Sequence, residues 1–122
     1  MMDAKTADAL EASIQHWREN IAADFFDDTA IGPTACALCQ IFWTKPREQQ
    51  CVGCPVMTKT GKRGCVSTPY EIAEEAWEEW KDVAVTHLES SSPQQRNDAK
   101  SAFLIAARAE LAFLESLRET KP

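Results

Sequence analysis

Residues 36–65 read CALCQIFWTKPREQQCVGCPVMTKTGKRGC and hold all five cysteines of the chain, as Cys36-Ala37-Leu38-Cys39, Cys51-Val52-Gly53-Cys54 and Gly64-Cys65. The stretch also carries Pro46, Pro55, Gly53, Gly61 and Gly64. It shows no sustained helical or strand period and has too few large apolar residues to bury a core of its own. A cross-link is therefore expected. Two Cys-x-x-Cys pairs can each present two thiolates from a tight turn, and four thiolates around one ion make the closed tetrahedron of a structural zinc site. The expected ligands are Cys36, Cys39, Cys51 and Cys54. Cys65 is the alternate, because it stands just before a predicted helix start at Thr68, where a thiolate is stabilised. An iron–sulfur cluster is the alternative cofactor, drawing on Cys54-Pro55 and the fifth thiol, although the closely spaced cysteine run of bacterial ferredoxins is absent.

Outward from this knuckle, assigned to residues 34–66, the periodicity predicts helices. Leu10, Ile14, Trp17 and Ile21 define an apolar line on a helix over residues 6–26, with Thr6 as its N-cap and Gly32-Pro33 beyond its end. Thr68-Pro69-Tyr70-Glu71 has the form of a capping box with proline at the first helical position and opens a helix over residues 68–88. Ser92-Pro93-Gln94-Gln95 repeats that logic for a helix over residues 92–119. This last helix has two adjacent apolar stripes, Phe103-Ala106-Phe113-Leu117 and Leu104-Ala107-Leu111-Leu114, and is expected to pack against both others. The expectation is one mainly α domain over residues 1–122. It would be a three-helix layer, with one N-terminal helix and a C-terminal antiparallel helix hairpin, carrying an inserted four-cysteine zinc knuckle. Inside the knuckle, residues 40–44 are expected as a strand pairing near Val56, and residues 57–64 as a mobile basic turn.

The chain has 122 residues and a formal charge of −6, distributed unevenly. Residues 34–65 hold five bases, Lys45, Arg47, Lys59, Lys62 and Arg63, against one acid, Glu48, while the remainder is strongly acidic. The start, Met1-Met2-Asp3-Ala4-Lys5, has no apolar leader pattern, and no run is long and apolar enough to span a membrane. A soluble protein of the cytoplasm is expected, where clustered cysteines are metal ligands more often than disulfides.

The expected metal role is structural. A catalytic zinc keeps an open position and takes His or carboxylate ligands, and the knuckle offers no histidine. His16 and His87 are expected as packing residues on their helices. No nucleophile, base and orienting group stand together, and no phosphate-binding loop is present, so the chain is expected not to be an enzyme. Two surfaces remain for a partner. Glu71, Glu74, Glu75, Glu78, Glu79 and Asp82, with Trp43 as an exposed anchor, would suit a basic protein partner. Lys45, Arg47, Lys59, Lys62 and Arg63, with Trp43 for stacking, would instead suit nucleic acid.

The order Trp17, Cys36-x-x-Cys39, Cys51-x-x-Cys54-Pro55, Gly64-Cys65, Thr68-Pro69-Tyr70 resembles that of small bacteriophage-encoded cysteine-rich proteins. The resemblance implies a virus-encoded factor acting in the bacterial cytoplasm, where it would bind or inhibit host machinery. It implies no catalytic residues.

Overall fold

The computed structural model describes residues 3–32, 36–42, 50–61 and 68–118. Among these the chain is mainly helical and contains no strand. The order is α1 (Ala4–Ala22), α2 (Ala37–Phe42), α3 (Pro55–Thr60), α4 (Pro69–Lys81) and α5 (Pro93–Ser116), with a 3-10 turn at Phe26–Asp28 and a π-helical turn at Asp82–Thr86.

Helix α1 begins earlier than its periodicity suggested because Asp3, not Thr6, is the cap. The Asp3 carboxylate accepts the Thr6 N–H at 2.7 Å, and Thr6 lies buried inside the first turn. The helix stops at Ala22, with Ala23 already extended. Its inner face buries Leu10, Ile14 and Trp17 as expected, and also three polar residues, Thr6, Ser13 and Asn20. Asn20 is the most informative of these. Its Nδ2 donates to the Ala30 carbonyl at 3.0 Å while its Oδ1 accepts the Ala30 N–H at 3.1 Å, so one side chain imitates a backbone pairing. His16 Nε2 donates to the same carbonyl at 2.6 Å. The chain leaving α1 is thereby folded back along the helix it has just left.

At the other end of the domain both predicted caps are present. Thr68 Oγ1 accepts from the Tyr70 N–H at 3.2 Å, and Ser92 forms a reciprocal capping box with Gln95. Helix α4 does not run unbroken to residue 88. Regular α geometry ends at Lys81, and the wider turn that follows is closed by His87 N–H on the Asp82 carbonyl at 2.7 Å. Ser91 Oγ caps the Val83 carbonyl at 2.6 Å, and the Arg96 guanidinium holds the Ser91 carbonyl at 2.9 Å. Helix α5 packs against both α4 and α1. Its stripes are buried at Phe103, Ala106, Ala107 and Leu114 and half-buried at Leu104, Leu111, Phe113 and Leu117.

A run of aromatic contacts ties these elements together. Phe103 on α5 lies between Trp17 on α1, at 6.4 Å, and Trp80 on α4, at 5.5 Å, while Phe26 of the 3-10 turn meets Trp77 at 4.8 Å and Trp80 at 5.4 Å. The half-buried Trp77 donates its Nε1–H to Thr29 Oγ1 at 2.8 Å.

The segment between Cys36 and Gly61 departs most from expectation. Residues 40–42 end a helix instead of forming a strand, because Leu38 and Phe42 sit one turn apart and bury a common face, with α2 packed on α1. Val56, the expected strand partner, lies in α3. That helix starts with Pro55 at its first position and closes at Gly61, whose φ of 74° supplies the left-handed residue that ends many helices. Residues 57–60 of the expected basic turn are therefore helical, and residues 62–64 lie outside the described residues. Removing the Asn20 amide in Asn20→Ala leaves the Ala30 N–H and carbonyl without that partner. Urea unfolding should show a loss of about 1–3 kcal/mol.

Candidate metal centre

Each described Cys-x-x-Cys pair stands where backbone N–H groups gather. Cys36 immediately precedes α2, and Cys54 is the residue before Pro55 at the start of α3. Between them, Cys51 N–H donates to the Phe42 carbonyl and Cys54 N–H to the Cys51 carbonyl, each at 3.0 Å. The second pair therefore hangs directly from the end of α2. Cys51 adopts a φ of 65°, a left-handed conformation that a residue with a side chain adopts only at a cost, and Gly53 has a φ of 88°. A Cβ on Gly53 would meet the Phe42 ring at 3.3 Å, so glycine at this position keeps the turn close against α2. Cys51 and Cys54 are buried, and Cys36 and Cys39 are half-buried.

The two pairs differ electrostatically. The Cys39 thiol hydrogen-bonds to Cys36 and, with the N–H groups of Cys39 and Leu38 and the Ser13 hydroxyl, outweighs burial to bring the Cys36 thiol down to about 6. Ser13 Oγ lies 3.7 Å from Cys36 Sγ. Burial pushes the Cys54 thiol up; the Val56 and Met57 N–H groups oppose this, while the charges of Cys51 and Cys36 add to it. Cys36 thus responds to Cys39 within its own pair, while Cys54 responds to Cys36 in the other. A cation would meet one thiol already disposed to ionise, Cys36, and another, Cys54, whose ionisation it would have to promote. Among the described residues, no group of three or more His, Cys, Asp or Glu side chains is assembled that could hold a metal ion. Cys65, the alternate ligand, lies outside the described residues.

Sequence reasoning missed Glu110. It sits on the inner face of α5 in line with Phe103, Ala107 and Leu114, is 2% exposed, and has an Oε1 with no hydrogen-bond partner. Burial first, and then the charge of Cys36, push its carboxyl up to about 8. An acid at a core register of an otherwise apolar stripe was the available signal.

The acids of α4 and the turn after it are all exposed. Glu71, Glu74, Glu75, Glu78, Glu79 and Asp82 follow the helical repeat and share one broad stripe. Tyr70 Oη donates to Glu74 at 3.4 Å, and His87 Nε2 lies 3.4 Å from Asp82. His87 is therefore an exposed partner of an acid, not the half-buried packing residue its position suggested. Of the basic set, Lys59 is exposed near the end of α3, whereas Lys45, Arg47, Lys62 and Arg63, with Trp43, lie outside the described residues.

No helix among the described residues is long and apolar enough to cross a membrane. No protein-family model matches the chain, and neither a curated protein nor a solved structure does.

In reduced, metal-free protein, alkylation of Cys36 mapped by mass spectrometry should reach half its plateau rate near pH 6. Cys54 should need a more alkaline solution, and Ser13→Ala should move the Cys36 midpoint upward. Equal midpoints for the two thiols would contradict the assigned environments.

Proposed function

We propose that the protein is a non-catalytic, zinc-stabilised protein-binding module, in which Cys36, Cys39, Cys51 and Cys54 hold the ion and the acidic face of α4 docks a basic partner. The observation that carries this reading is the approach of the two pairs: Cys36 and Cys54 each precede a six-residue helix, the Cys51 N–H bonds the Phe42 carbonyl at the end of the first of these, and the charges of Cys51 and Cys36 both act on Cys54. Helices that short are unstable alone. Leu38, Phe42 and Val56 contribute about 1.5–3 kcal/mol each on burial, but fixing every backbone residue costs about 1–2 kcal/mol. Three apolar anchors do not by themselves order residues 36–42 and 50–61. A structural zinc contributes apparent binding energies on the order of 10 kcal/mol or more, enough to change that balance once the two pairs close on the ion.

The acidic face supports the docking half of the proposal. A helix N-terminus stabilises acids only within its first turn, so Glu75, Glu78, Glu79 and Asp82 gain little there. Like charges one turn apart, as at Glu71 and Glu75 or Glu74 and Glu78, work against the helix. A cationic partner would relieve both. The bacteriophage resemblance belongs to the same proposal, with a component of the host cytoplasm as the partner.

Two measurements test this. Reduced protein should carry zinc in a fixed ratio, and chelation should abolish hydrogen-exchange protection in residues 36–61 before that of α4 and α5. A metal-free preparation with full protection would refute the zinc assignment. Replacing Glu74, Glu75, Glu78 and Glu79 with lysine should then abolish salt-sensitive capture of a host protein from nuclease-treated lysate. Binding of DNA or RNA at low salt, unaffected by that variant, would favour the basic loop instead.

A further inference from the structure

The outer face of α5, turned away from the buried Phe103, Ala107 and Leu114, serves neither the metal centre nor the acidic stripe of α4. Asp98, Ser101, Ile105, Arg108 and Ala112 recur on it at alternating steps of three and four residues, which sets them in one line along the helix. All five are exposed, Ile105 by 68%, and the exposed Ala102 and Ala109 flank the isoleucine. A lone exposed isoleucine is ordinary. One apolar knob among small side chains, bracketed by an acid on one side and a base on the other, is instead the pattern of a helix that pairs with another. The two charges stand about 15 Å apart along the axis, at 1.5 Å per residue, and so cannot satisfy each other. Among the described residues neither has an ion-pair partner. Asp98 accepts a hydrogen bond from the neutral Gln94 Nε2 at 2.7 Å.

We propose that this face joins two copies of the chain, α5 against α5 in antiparallel orientation, about a twofold axis level with residue 103. In that register Asp98 of each copy meets Arg108 of the other, and Ile105 of each copy meets Ser101 of the other, a large side chain against a small one. Parallel pairing would set Asp98 against Asp98 and Arg108 against Arg108, so the charges select the antiparallel arrangement. Serine and alanine around the isoleucine let the two helix axes approach closely. The contact is one helix wide, and the 24 residues of α5 extend about 36 Å. It belongs with the small, reversible interfaces, below about 1,200 Å² in total. The seam shares no residue with the acidic face of α4, so the pair displays two such faces, and a partner with two basic segments gains avidity. The pairing stands independently of the zinc and docking assignments.

Sedimentation equilibrium over a concentration series reaching the millimolar range is the test. The wild type should follow a monomer–dimer equilibrium. Asp98→Arg and Arg108→Asp should each weaken it by roughly 2- to 30-fold, because an exposed ion pair is lost twice in a twofold dimer. The double variant should regain most of the wild-type affinity, since it restores opposite charges across the axis. Ile105→Lys should leave a monomer with unchanged helical circular dichroism, as the substituted side chain lies in solvent. A wild type that stays monomeric throughout the series overturns the proposal. So does a dimer indifferent to Ile105→Lys, which would be joined through another surface, and so does a double variant no tighter than the single ones, which would exclude the antiparallel register.

Discussion

Phe103, fully buried between Trp17 and Trp80, is the contact on which the arrangement of the long helices depends. Each of the three rings comes from a different helix, and large aromatic surfaces pack in only a few relative orientations. The stack therefore sets the spacing and rotation of α1 and α4 about α5 at once. Phe26 extends it to the chain leaving α1. Polar links then hold that chain in register: Asn20 pairs with Ala30, and Trp77 donates to Thr29.

The cysteine segment depends on this frame. Leu38, Phe42 and Val56 join the same apolar core as the long helices instead of forming a separate one. Ser13 of α1 reaches Cys36, and α2 holds Cys51 through the Cys51 N–H, which donates to the Phe42 carbonyl. The thiols are thus placed by the bundle, and their unequal tendency to ionise follows from that placement. Cys36 collects hydrogen bonds at the edge of the core, while Cys54 is dominated by desolvation.

Much of the fold could be read from residues that act locally. Thr68 and Ser92 satisfy backbone donors wherever they occur, and the stripes on α1 and α5 follow directly from helical spacing. The short helices were harder to see, because six residues give too few turns for a period. Even so, Pro55 and Gly61 bracket α3 with the asymmetry that marks a helix start and stop. The strand expected over residues 40–44 came from composition alone, and the core position of Phe42 outweighed it. Asp3 displaced Thr6 as a cap because both are capping residue types and only the burial of Thr6 decides between them. At the centre, the cysteine spacing was evident, but Glu110 was not. Its raised carboxyl depends on burial and on the charge of Cys36, far away in the chain, which helical spacing on α5 cannot reveal.

The widened turn at Asp82–Thr86 gives the hairpin between α4 and α5 one residue more than a regular helical turn would hold. It accommodates an extra residue without breaking the helix, since the displaced Val83 carbonyl finds Ser91. With one residue fewer, the chain would arrive at Leu88 rotated by about 100° around the axis. The serine that now closes the gap would then face the wrong way. The pairing of the two helices is consequently tied to the number of residues in this turn as much as to their identity, and a one-residue deletion there would alter the angular phase of everything that follows.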